Sequence, residues 1–183
     1  MPRYIPSDTP RRAVVAAMVE RKRRRYPELL TGDVRLSDLV LAMQRDGIHI
    51  VYEHDVELGS CMALEGHAFV GLNPTLDTRS MLLTAAHEYG HALLHFGDPA
   101  IMRARRAEMI RQRLRYGATA WGQRAPYGPI ACAIEAEADL FGAQLLRMPV
   151  SAYDRELREA GAALASPTWA AKHQPRSRTR AAA

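Results

Sequence analysis

His87-Glu88-Tyr89-Gly90-His91 is a complete H-E-x-x-H pentapeptide, and it lies in a stretch from Ser80 to His95 whose apolar periodicity predicts a buried helix. Residues four apart on a helix project from one face, so His87 and His91 can direct two imidazole nitrogens at a single Zn²⁺. Glu88, one step round, is left to act as a general base on a water activated by the metal. A structural zinc site has no need of a base beside its ligands, so Glu88 points to catalysis. A catalytic zinc takes three protein ligands and keeps one position for water, which leaves the pentapeptide one donor short.

The missing donor is sought on the apolar helix predicted over 130–147, which carries Glu135, Glu137 and Asp139. Glu135 and Asp139 are four apart and share a face. Glu135 can therefore bind the metal while Asp139 accepts a hydrogen bond from the distal nitrogen of a ligand histidine. Glu137 points about 200° away from Glu135 and would face solvent or cap a neighbouring group. His95 follows His91 by four residues. A drift of about 40° per four residues nevertheless puts it about 80° from His87, so packing behind the site is expected in place of ligation. His49, His54, His67 and His173 have no metal spacing, and Tyr89 and Tyr127 are the candidates for stabilising an oxyanion.

These donors need a scaffold. Thr9-Pro10 reads as the start of a first helix that ends near Tyr26-Pro27, with Val14, Val15, Met18 and Tyr26 on its apolar side. A short helix over 36–43 closes at Gly47, and the period then changes. Runs at 48–53, 61–65 and 67–73 are β-branched or aromatic, are separated by turn residues and predict a small antiparallel sheet, with Glu65-Gly66-His67 as its tight turn. Asp77 or Thr78 caps the pentapeptide helix, and Gly97 and Pro99 stop it. A further, basic helical segment runs from Asp98 to about Tyr116, followed by an irregular loop over 117–129 that contains Trp121. Ser151 and Asp154 form a capping-box start for a last helix that closes at Gly161.

The chain of 183 residues is long enough to bury a core without disulfides, and 48% hydrophobic content agrees with that. No apolar run approaches the length of a bilayer span. The apolar stretch 13–19 is followed by Glu20-Arg21-Lys22-Arg23-Arg24-Arg25 and not by a small-residue cleavage site, so the protein is read as not secreted. Cys61 and Cys132 are too few for a disulfide framework or a thiolate zinc site. Charge is uneven: the segments 3–25, 99–115 and the tail hold 18 of the 25 basic residues. Such patches attract polyanions or an acidic protein surface, but no nucleic-acid-binding motif accompanies them.

The pentapeptide with its continuation to His95, followed by Glu135-Ala136-Glu137-Ala138-Asp139-Leu140-Phe141-Gly142-Ala143-Gln144-Leu145-Leu146-Arg147-Met148-Pro149, resembles the ImmA/IrrE family of bacterial and phage metallopeptidases. There an H-E-x-x-H helix is followed by a helix of pattern E-x-x-A-[ND]-x-F-A-x-x-L-L-x-P, and the resemblance covers about residues 34–150. It implies an α+β fold, with a small antiparallel sheet packed beside the active-site helix in a minimal gluzincin-like arrangement. It also implies zinc ligands at His87, His91 and Glu135, with Asp139 behind them. The expected activity is that of a cytoplasmic, site-specific zinc endopeptidase that cleaves a helix-turn-helix repressor-type partner encoded nearby and so relieves repression.

Two departures stand out. Gly142 occupies a position where the family usually has alanine, and Glu135 comes 44 positions after His91. The division expected is a basic helical extension at 1–33, a metallopeptidase domain at 34–165 with an insertion at about 98–129, and a disordered basic tail at 166–183. Arg105, Arg106, Arg111, Arg113 and Trp121 in the insertion are the candidate substrate-recognition residues, since aromatic anchors and arginines favour protein contacts. Two other function classes compete: a binding module that sequesters a repressor without cutting it, and a DNA-associated regulator whose affinity falls steeply with salt.

Overall fold

The computed structural model describes residues 10–54, 58–96 and 129–164, with 98, 100, 101, 103, 104 and 107 between them. Among the described residues the chain forms α1 (Arg12–Arg25), a 3-10 turn (Pro27–Leu30), α2 (Leu36–Arg45), β1 (Ile48–Tyr52), β2 (Gly59–Leu64), β3 (His67–Leu72), α3 (Thr78–Leu94), α4 (Pro129–Leu145) and α5 (Val150–Leu164). The fold is α+β, and the elements named among the described residues are five helices and one three-stranded sheet. None of these helices is long and apolar enough to cross a membrane.

The sheet is mixed and not antiparallel as expected. Its order is β1-β3-β2, with β1 parallel to β3 and β2 antiparallel to β3. The reason lies in the turns and in burial. Glu65 and Gly66 both take positive φ, 51° and 84°, which makes the two-residue hairpin turn that pairs β2 with β3. The longer β1–β2 connection imposes no such pairing. The most buried strand, β3 with Val70 and Leu72 at 0% exposure, takes the centre, and β1 adds along its other edge. Ile48, Ile50, Cys61, Ala68, Val70 and Leu72 then face the core.

Local signals place the helix ends. Asp77 caps α3: its carboxylate accepts from the backbone N–H of Arg79 (2.9 Å) and Ser80 (3.0 Å). At α2 the Asp38 carboxylate reaches back to the Arg35 N–H. The last helix departs from expectation, because it starts at Val150 directly after Pro149 and continues through Gly161 to Leu164. Asp154 does not serve a cap there; it pairs with Arg158 on the surface.

α1 buries Val15, Val19 and Lys22, a helical stripe, with Tyr26 buried just beyond its end, while Val14 lies on the exposed side. Val15, Val19 and Tyr26 belong to the same core as Leu39 and Met43 of α2, Tyr89 of α3 and Phe141 of α4. The basic first helix is therefore part of the core that carries the pentapeptide. Lys22 sits in that core because Asp46 meets it there. Its Nζ donates to Asp46 Oδ2 at 2.5 Å, the Tyr26 hydroxyl donates to Asp46 Oδ1 at 2.6 Å, and the Tyr89 hydroxyl donates to Asp46 Oδ2. Burial alone would raise the Asp46 carboxyl, but the hydrogen bonds from Lys22, Tyr26 and Tyr89 hold it below its ordinary value. Burial and the same carboxylate push the Tyr26 hydroxyl up to about 12.

Asp46→Asn leaves Lys22 buried without its counter-ion, which should cost about 3–5 kcal/mol in urea unfolding at neutral pH. Because the folded-state carboxyl is depressed, its stabilisation is complete above the unfolded value of about 3.9 and is lost as pH falls through the folded value. The stability gap between wild type and Asp46→Asn should therefore close on acidification. A gap under about 1 kcal/mol at neutral pH would remove this cluster from the forces that hold α1 to α3.

Candidate metal centre

α3 and α4 carry the donors, and their close approach brings them together. A Cβ built on Gly90 would stand 3.1 Å from Ala138 Cα and 3.2 Å from Phe141 Cβ, so glycine lets the two helices touch nearly backbone to backbone. The Phe141 ring meets Tyr89 edge-on at 5.6 Å. Gly142, the departure from the family pattern, has a partner in α5: the Tyr153 hydroxyl occupies the place where a methyl at 142 would go, and it donates to the Leu83 carbonyl at 2.6 Å.

Three donor atoms converge at this crossing. His87 Nε2 and His91 Nε2 are 3.0 Å apart, and Glu135 Oε2 lies 3.2 Å from the first and 3.3 Å from the second. Donors around a tetrahedral zinc with bonds of about 2.0–2.1 Å stand about 3.3–3.4 Å from one another, so the triangle fits such an ion closely. Among the described residues, His87, His91 and Glu135 form the one group of three that could hold a metal ion.

The ring nitrogens that face away from the triangle are also occupied. Asp139 Oδ1 lies 2.9 Å from His87 Nδ1, so a carboxylate takes the Nδ1–H and leaves the Nε2 lone pair directed at the centre. His91 Nδ1 faces His95 Nδ1 at 2.9 Å, and His95 Nε2 faces Glu137 Oε2 at 3.1 Å. When His91 holds the proton it shares with His95, its Nε2 is likewise a lone pair. Two imidazole lone pairs and a carboxylate oxygen then share one point, an arrangement that calls for a positive charge.

The pKa shifts describe the same demand. Burial alone would lower His87, but hydrogen bonds to Asp139 and Glu135 outweigh it and raise its pKa, so a proton on His87 can supply the charge when no metal does. Burial pulls His91 down to about 4. Glu135 is held below the usual carboxylate range: burial would raise it, but the His87 and His91 rings beside it favour its charged form by more.

Glu88 is 8% exposed and lies beside β2. A Cβ on Gly59 would stand 3.1 Å from Glu88 Cγ and 2.6 Å from Thr84 Cγ2, so the strand reaches the helix only because position 59 is glycine. Tyr89 does not serve as an oxyanion donor. It follows His87 by two residues, about 200° round the helix, and its buried hydroxyl is engaged by Asp46 on the core side.

Glu137 does not face solvent; it meets a neighbouring group, the other of the two expectations. It is 2% exposed and accepts from His95, from the Arg11 backbone N–H at 2.7 Å and from the Arg11 guanidinium at 2.7–3.1 Å. The i, i+4 spacing of His91 and His95 is the sequence signal for this extension. The role of Arg11, 126 residues from Glu137, had none. Arg105, Arg106, Arg111, Arg113, Trp121, Tyr127, His173 and the tail over 166–183 lie outside the described residues. His49 and His67 stand on the outer side of the sheet, where the His49 ring stacks on Phe69 at 4.9 Å.

No family model, curated protein or solved structure matches the chain. The site therefore rests on its own geometry.

His87→Ala, His91→Ala and Glu135→Ala should each abolish near-stoichiometric zinc retention by the purified protein, measured by elemental analysis. Gly90→Ala removes no donor but must push α4 away, so it should weaken zinc binding as well. Unchanged affinity in folded Gly90→Ala would mean that the helix crossing does not set the donor spacing.

Proposed function

We propose that the protein is a zinc-dependent endopeptidase that cuts a helix-turn-helix repressor-type partner and so relieves repression. The observation that carries this reading is the coincidence of three converging donor atoms with a buried carboxylate, Glu88, on the residue next to His87. Two nitrogens and one oxygen form a donor set that suits zinc and that the hard cations calcium and magnesium do not select. Zinc, when bound, acts as a Lewis acid that lowers the pKa of a water and polarises a scissile carbonyl.

Glu88 then takes the proton of the attacking water and delivers it to the leaving amine. Asp139 holds the His87 ring against rotation, and through Nδ1 keeps its Nε2 lone pair aimed at the metal. Among the described residues β2 pairs with β3 alone, and its Gly59 lies against Glu88, so its other edge can offer main-chain groups to an extended peptide. A loop or linker of the partner, pulled straight, suits that edge. The choice of a repressor-type substrate rests on the resemblance to the ImmA/IrrE family.

Glu88→Gln keeps the shape and the three donors but removes the base. Zinc content should persist, while the new termini that the zinc-loaded wild type creates in a proteome-derived peptide library fall by at least about a hundredfold. If Glu88→Gln relieves repression of the target gene as well as wild type does, the protein works by sequestration and the peptidase reading is wrong.

A further inference from the structure

Behind the second histidine of the triangle runs a buried line of polar groups: His91 Nδ1 to His95 Nδ1 at 2.9 Å, His95 Nε2 to Glu137 Oε2 at 3.1 Å, and Glu137 to Arg11. We infer that His95, Glu137 and Arg11 are positioning residues that fix the tautomer of His91, so that its Nε2 faces the metal as a lone pair. The inference deepens the reading of His87, His91 and Glu135 as metal donors and rests on it.

Two nitrogens facing each other at 2.9 Å share one proton, and either ring can own it. If His95 owned it, neutral His91 would carry its own proton on Nε2 and point it into the triangle, closing the site to a cation. The far end of the line decides between the two arrangements. Glu137 accepts from the Arg11 Nε, Nη2 and backbone N–H together, which holds it as a carboxylate that can only accept. His95 Nε2 must then donate to it. In a neutral ring this leaves His95 Nδ1 as an acceptor, so the shared proton belongs to His91 Nδ1 and the lone pair to His91 Nε2. His95 is 1% exposed and Glu137 2%, so water does not compete for these bonds.

The two ligand histidines are thus set by different means. Asp139 acts on His87 directly from α4, with its side chain about a quarter exposed. His91 is set through an intermediate ring, from the interior, by a carboxylate that also binds the start of α1. Arg11 makes the metal site depend on the docking of the first helix, although that helix supplies no ligand.

The test uses the full chain, with His95→Leu, His95→Gln and Glu137→Gln beside wild type. Zinc affinity is read by competition with a chromophoric chelator. The His91 tautomer is read by long-range ¹⁵N NMR on the metal-free protein. His95→Leu should bind zinc about 10–100-fold more weakly, and its His91 should move toward the Nε2–H form. His95→Gln carries an acceptor and a donor on one amide and should recover most of the affinity. Glu137→Gln, still an acceptor but without the charge, should fall between.

A packing role alone would weaken both His95 variants in step with their loss of stability and leave the tautomer unchanged, and that result would overturn the proposal. So would an unprotonated His91 Nδ1 in metal-free wild type, or wild-type zinc affinity in folded His95→Leu. If wild type bound no zinc yet His91 carried its proton on Nδ1 only while His95 was present, the positioning line would stand and the metal reading would fall.

Discussion

At the crossing of α3 and α4, Ala138 and Phe141 stand so close to Gly90 that a single methyl there would press on both. That closeness carries the rest of the site. Glu135, one turn before Ala138, is brought within 3.3 Å of both ligand nitrogens, and Asp139 is brought to the back of His87. A carboxylate reaches only a few ångströms from its backbone, so a wider crossing would leave the histidines without their third partner. Close packing of helices, which stabilises through many small dispersion contacts, here also acts as a ruler for the donor triangle.

Two polar networks flank α3 and hold it in place against that ruler. On one side the Tyr89 hydroxyl joins Lys22 and Tyr26 on Asp46, which ties α3 to α1 and to the end of α2. On the other side His91 and His95 reach Glu137 and, through it, Arg11 at the start of α1. Both networks bury charge, and burial of charge is costly unless each group finds a partner. Here Lys22 meets Asp46 and Arg11 meets Glu137, so the cost is offset and the residue left over is rigidity. The first helix takes part in both networks, which explains why a basic segment with two buried valines belongs to the core of a site to which it supplies no donor.

β2 supplies the remaining boundary. Its Gly59 rests on Thr84 and Glu88, and its register with β3 is set by the Glu65-Gly66 turn. The mixed sheet order puts β2 at an edge and β3 in the middle, so the strand that lies against Glu88 is one with an unshared side among the described residues. Had the sheet followed a simple meander, β2 would have been the central strand and that side would have been covered by β1.

What the amino-acid order determined by itself is what local periodicity carries. The i, i+4 spacing of His87 and His91 fixed two donors on one face, the spacing of Glu135 and Asp139 fixed a donor and its support on another, and Asp77 and the Glu65-Gly66 turn marked where elements begin and reverse. The parallel pairing of β1 was not legible, because turn residues signal a reversal of direction without saying which strand becomes the neighbour. Nor were the buried roles of Glu137 and Asp46 visible, since a carboxylate on a helix or in a turn reads as solvated until a cation from elsewhere meets it. Arg11 meets Glu137 across 126 residues and Lys22 meets Asp46 across 24. Such pairs are decided only when helices pack, because desolvation and charge pairing depend on distance in space, which spacing along the chain does not encode.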